Sequence, residues 1–166
     1  MSTDCAAVYE LAGHPLRNLP NTRDEVIEAG EALGGKSVEL LGSNATETAF
    51  KKELLGQFKI IHIAAHGIAS AQFPDRAALV LGEDSTKRDD GLLQAREIRN
   101  LRLNADLVTV SACDTGTGRL QGEEGIASLE RAFFYAGARS VLASLWTTSD
   151  VYTSLSCAEG LSRPSA

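Results

Sequence analysis

Residues 107–125, LVTVSACDTGTGRLQGEEG, decide how the chain is read. The run opens on β-branched and apolar residues and leads into Cys113. A turn rich in Gly and Thr follows, then an acidic helix start. Residues 59–67, KIIHIAAHG, are built the same way, an apolar run ending on His66 and Gly67. Apolar runs with little strict alternation fit strands covered on both faces, as in a parallel sheet. Parallel strands deliver their C-terminal ends to one sheet edge, where α/β sites form. The two runs therefore predict a thiol and an imidazole brought to one edge.

The surrounding chain carries the alternation of an α/β domain. Residues 22–33 predict a helix, with Thr22 and Glu25 as a capping box, Val26, Ala29, Gly30 and Leu33 on one face, and Gly34-Gly35 as its end. Residues 37–41 predict a strand. Residues 44–55 predict a helix capped by Asn44 with Glu47, burying Phe50 and Leu54. Short strands are expected at 6–11 and 77–81, and an exposed loop at 82–90. A short helix within 91–100 is expected to anchor through Leu93, Ile98 and Leu101. Residues 123–136 are the best helix, with Ile126, Leu129 and Phe133 on one face and Glu123 and Glu124 at its positive end. Residues 140–146 predict a final buried strand. The expected organisation is one domain over residues 1–150 and an irregular tail over 151–166, which shows little amphipathic order.

The bulk numbers exclude several classes. The 166 residues suffice for one domain with a real core. The net charge is −6, with 16 basic and 22 acidic residues and no basic cluster, so nucleic acid is not expected as a partner. No run of about eighteen apolar residues is present, so no membrane span is expected. The N-terminus lacks a signal-peptide pattern, which points to a cytoplasmic protein. Three cysteines, Cys5, Cys113 and Cys157, argue against a closed disulfide framework. No Cys/His cluster has zinc spacing, and neither GxGxxG nor a phosphate-loop lysine is present, so no metal and no cofactor is expected.

The chemistry rests on the two strand ends. A thiolate is a strong nucleophile, and a nearby imidazole takes its proton and later protonates a leaving amine. Gly67 lets backbone approach a substrate, and its N–H, with that of Cys113, is placed to hold an oxyanion. The structural alternatives are a buried core thiol at Cys113 and an imidazole that only packs at His66. His62 lies inside its run and reads as a packed or hydrogen-bonded core residue rather than half of a metal pair.

Taken together, these motifs resemble the CHAT domain family of the caspase-like cysteine peptidase clan, often associated with tetratricopeptide repeats. The resemblance is carried by LPNTRDEV (19–26), IHIAAHG (61–67), DGLLQAREI (90–98), LVTVSACDTGTG (107–118), GEEGIASLERAFFYAGARSVLASLW (122–146) and Asp150. It implies a caspase-haemoglobinase-like three-layer fold, a mostly parallel central sheet flanked by helices. It also implies His66 as base, Cys113 as nucleophile, Gly67 as an oxyanion donor, and Asp114 or Asp150 as a substrate contact selecting a basic residue before the cut. The helix that usually follows the SLW strand in the family is not recognisable in residues 151–166.

Three functional readings follow. The first is a cysteine endopeptidase acting on a protein or peptide. The alternative is a catalytically silent module for protein–protein interaction or signalling, attached to a tetratricopeptide-repeat or other regulatory region of a longer protein. The third is another thiol-dependent acyl transferase, which the Cys/His pair alone does not distinguish from a hydrolase.

Overall fold

A computed structural model describes residues 19–68, 74–82, 88–112 and 123–143. The expected strand at 6–11, the tail at 151–166, and Cys113, Asp114 and Asp150 lie outside the described residues.

Two runs that are apolar in sequence form the heart of a parallel sheet. Strand β1 (Ile60–Ala64) pairs with β5 (Leu107–Ser111), Ile60 opposite Leu107 and Ala64 opposite Ser111. Strand β6 (Val141–Ala143) pairs with the other side of β5, so the order is β1-β5-β6, all parallel. Position in this order decides burial. Central β5 buries Val108, Thr109, Val110 and Ser111 in succession, as a strand covered on both faces must. Outer β1 alternates instead: Ile61 and Ile63 are buried, while Ile60, His62 and Ala64 are half-buried. Outer β6 is half-exposed, with Leu142 at 53%, which corrects the expectation of a buried final strand.

A second sheet is antiparallel, in the order β2 (His66–Ile68), β3 (Ala78–Val80), β4 (Leu92–Gln94). Val80 lies opposite His66 on one side and Leu92 on the other. The expected helix within 91–100 is thus a strand followed by a four-residue helix, α3 (Ala95–Ile98). Gln94 closes the strand and opens the helix. Its side chain and that of Glu97 form a reciprocal capping box, with Gln94 N–H donating to Glu97 Oε2 at 3.0 Å.

Helix α1 (Thr22–Leu33) has the expected bounds and ends where Gly34 (φ +63°) and Gly35 (φ +85°) leave the helical region. Its start differs from expectation. Asn21 occupies the cap position without a side-chain cap bond, and Thr22 Oγ1 donates to the Leu19 carbonyl at 2.8 Å. Glu25 does not fold back on the helix end; it is buried against β1. Residues 37–41 run on without strand pairing, contrary to the predicted strand.

The helix expected at 44–55 shortens to α2 (Glu47–Lys52). Asn44 closes a separate 3-10 turn (Gly42–Asn44), and Thr46 is the cap, its Oγ1 accepting from Ala49 N–H at 3.1 Å. A second 3-10 turn (Leu55–Gln57) buries Leu55 and leaves Leu54 67% exposed, the reverse of the expected burial of Leu54.

Helix α4 (Glu123–Ala136) has the predicted bounds. Leu129, Ala132, Phe133 and Ala136 are buried, whereas Phe134 and Tyr135 point outward. Gly137 ends the helix at φ +111°, a position where a Cβ would collide with the Leu103 carbonyl oxygen. Alternation along β1 sends Ile61 and Ile63 into the core with Phe133, and turns His62 toward α1 on the opposite face. The parallel sheet is therefore flanked by helices. No helix among the described residues is long and apolar enough to cross a membrane.

Phe133 is the largest fully buried side chain among the described residues. Phe133→Ala is expected to cost about 3–5 kcal/mol in urea unfolding. A loss below about 1 kcal/mol would mean that this core is not the one that holds the sheet.

Candidate active site at the parting of two sheets

The site begins where β1 ends. Ala65 N–H donates to the Ser111 carbonyl at 3.2 Å, extending the ladder one residue past Ala64. The chain then leaves the parallel sheet, and His66 opens β2 in the antiparallel one. The sequence had read residues 59–65 as one strand with His66 just beyond it; the structure makes His66 the first residue of the next strand.

His66 and Ile68 alternate onto the buried face of β2, and His66 is 9% exposed. Ile68 packs with Ala78 and Leu92 in a small apolar cluster. Gly67, on the other face, passes close to the chain leaving β5: a Cβ built on it would lie 3.2 Å from the Ala112 Cβ. Its φ is not positive, so closeness rather than backbone strain favours glycine here. The candidate residues His66 and Gly67 are thus held beside Ala112. Their proposed partners Cys113, Asp114 and Asp150 lie outside the described residues.

A charged network that the sequence reading missed anchors the antiparallel sheet. Lys51 Nζ lies 2.5 Å from Glu47 Oε1, 2.9 Å from Asp89 Oδ1 and 2.9 Å from Glu97 Oε1. Glu47 is 1% exposed, and its other oxygen accepts from Gly91 N–H at 2.9 Å. Thr48 Oγ1 donates to Asp89 Oδ2 at 2.6 Å. The network ties α2 to the turn before β4 and to the capping box after it. Since β4 pairs with β3 and β3 with β2, it fixes the sheet that carries His66. The i,i+4 spacing of Glu47 and Lys51 was a legible signal; Asp89 and Glu97, about forty residues away, gave none.

Burial pulls the Lys51 pKa down, but the hydrogen bonds that its ammonium donates to Glu47, Glu97 and Asp89 together outweigh this and raise it well above that of an ordinary lysine. Glu47 also shifts up: burial penalises its charge more than the Lys51 hydrogen bond favours it, and Glu97 and Asp89 add repulsion. One oxygen of each of Glu47, Asp89 and Glu97 lies within 4.8 Å of the others, a spacing that would suit a hard cation. The Lys51 ammonium bonds all three carboxylates, which gives the cluster a structural role.

On the α1-facing side of β1, away from the Phe133 core, His62 Nε2 lies 3.1 Å from Glu25 Oε1, both side chains buried. The expectation that His62 packs inside the protein agrees with its buried side chain, but it packs against α1 and not in the Phe133 core.

The family described as "CHAT domain" matches residues 9–155, and the chain belongs to that family. A stretch of 55 residues is 42% identical to "Tetratricopeptide repeat protein 28" of Mus musculus, covering 33% of this chain and 2% of that protein. The chain thus spans a small fraction of that relative's length. No solved structure matches the chain.

The network predicts a pH-dependent penalty for losing Lys51. Stability contributed by the raised lysine is present below its unfolded pKa and is lost only at strongly alkaline pH. Glu47, raised in the fold, favours folding when protonated, and that contribution fades as pH rises through its folded pKa. Lys51→Met leaves three carboxylates without their cation. It is expected to cost about 2–3 kcal/mol at pH 8, and less at pH 5 as Glu47 takes up a proton. Urea unfolding at both values checks this; a cost independent of pH would contradict it.

Proposed function

We propose that this CHAT domain is a caspase-like module of a longer protein and works by binding a protein partner in signalling or assembly. The observation that carries this reading is the placement of His66. Its position on the inward face of β2, beside Ile68, suits an imidazole that packs and orders the sheet edge. The likeness to a mouse protein named for its tetratricopeptide repeats supports a parent chain that carries repeats. The caspase-haemoglobinase fold belongs to the same reading, supported by the family and by the parallel sheet with helices against it.

One observation favours a second reading, a cysteine endopeptidase. Every pair in the β1–β5 ladder is offset by 47 residues, from Ile60–Leu107 to Ala64–Ser111. The two strands therefore end side by side, and in the sequence His66 follows the last β1 residue by two positions, as Cys113 follows the last residue of β5. In this reading His66 takes the Cys113 proton and the thiolate attacks a peptide carbonyl. Gly67 and Cys113 N–H groups hold the oxyanion, His66 protonates the leaving amine, and water resolves the acyl-enzyme. Asp114 or Asp150 would favour a basic residue before the cut.

Electrophilic peptide probes bearing Arg, Lys, Asp or Leu before the reactive group separate the two readings. Intact mass and site mapping report which thiol reacts. The module reading predicts that Cys113 labels no faster than Cys5 or Cys157, and that His66→Ala leaves the rate unchanged. Selective labelling of Cys113 that falls at least about tenfold in His66→Ala, with cleavage of the matching peptide, would overturn it in favour of the peptidase.

A further inference from the structure

The edge of β1 away from β5 borders a groove that neither reading uses. All five β1 residues, Ile60 to Ala64, line it, and Val38 and Leu40 stand on its wall with them. Consecutive strand residues point to opposite faces, so a groove that touches all five runs along the backbone edge of the strand. The groove is open to solvent, and Val38 is 52% exposed. Both banks offer unpaired backbone. Among the described residues β1 pairs with β5 alone, and residues 37–40 make no backbone hydrogen bond. Two strand-like segments thus line one groove with no ladder between them.

The helices fix which segment belongs between the banks. Helix α4 connects β5 to β6, and its Phe133 packs in the core with Ile61 and Ile63. Helix α2 connects residues 37–41 to β1, and its Phe50 packs against the same core. Helix α1 lies on the opposite face of β1, where Glu25 meets His62. Connections between parallel strands of one sheet are right-handed. Helices on one face therefore carry the chain across the sheet in one direction, and a helix on the other face carries it back. The steps through α4 and α2 share a direction, which puts residues 37–41 on the far side of β1 from β5. The step through α1 runs the other way. The strand that feeds α1 therefore lies on the β1 side of residues 37–41, in the groove.

We propose that residues 6–11 of this chain, AAVYEL, occupy the groove as a parallel strand, paired with residues 37–41 on one side and with β1 on the other. The segment is apolar apart from Glu10, as a strand covered by α1 and α2 requires. The chain between Leu11 and Thr22 is long enough to lead from the strand to α1, since its ten residues reach about 33 Å when extended. The sheet order becomes 37–41, 6–11, β1, β5, β6. The added strand covers Val38, pairs both free edges and makes β1 an inner strand. Because β1 leads through Ala65 into His66, the N-terminal segment then supports the strand that delivers His66. The proposal goes beyond the proposed function and holds whether or not Cys113 is reactive.

The test uses the full chain labelled with ¹⁵N and ¹³C. Nuclear Overhauser contacts from the backbone protons of residues 6–11 to those of both 37–41 and 60–64 are expected. Alternate amides of residues 37–41 should exchange with solvent at least about a hundredfold more slowly than in an unstructured chain. Val8→Pro breaks the strand at its middle. It should return those amides to fast exchange while Val108 and Val110 stay protected. Contacts running directly between 37–41 and β1, contacts from the groove to a second copy in a mixed-label sample, or no contacts from residues 6–11 would each overturn the proposal. Unchanged protection of residues 37–41 in Val8→Pro would overturn it as well. Should Val8→Pro unfold the whole chain, the contacts in the unsubstituted chain decide.

Discussion

The β1–β5 ladder and the place where it stops set the rest of the structure. Five consecutive pairs hold two apolar strands in parallel, and the Ala65 N–H on the Ser111 carbonyl is the last link. Beyond it the parallel ladder does not continue among the described residues. The chain crosses into an antiparallel sheet and sends His66 inward and Gly67 across Ala112. A one-residue shift of this register would exchange the faces of β1 and send His62 into the core in place of Ile61 and Ile63. Register is therefore specified by burial, and the position of the candidate site follows from register.

Two polar devices hold the elements around that ladder. On one side Glu25 of α1 meets His62 of β1, on the face of the strand away from the Phe133 core. On the other, Lys51 gathers Glu47, Asp89 and Glu97, locking α2 to the entrance and exit of β4. These contacts do not replace the apolar core around Phe133. They specify which segment lies beside which, and a buried carboxylate left without its cation is costly enough to enforce that choice. Through β4 and β3, the second device reaches the strand that carries His66.

What the sequence made legible was what local pattern controls. The bounds of α1 and α4 follow from helical periodicity and terminal glycines, and β1 and β5 follow from apolar runs. Local signals misled where a distant partner competed for the same side chain. Glu25 read as half of a capping box, but His62 holds it; Glu47 read as partner to Asn44, but Gly91 N–H and Lys51 take it. The short helix expected within 91–100 is present at Ala95–Ile98, but the strand before it, Leu92–Gln94, is made by pairing with β3 and had no local signal of its own. Residues 37–41 have strand composition, but no ladder captures them.

The central claim is that the parting of the two sheets presses Gly67 against the chain as it leaves β5. A ¹³C-edited nuclear Overhauser experiment on the folded chain tests it directly. The account predicts a strong cross-peak between the Gly67 Hα protons and the Ala112 methyl group, whose carbon lies 3.2 Å from the Cβ position built on Gly67. Absence of that peak, with the Ala64–Ser111 ladder contacts intact, would show that β2 departs in another direction and would contradict the account.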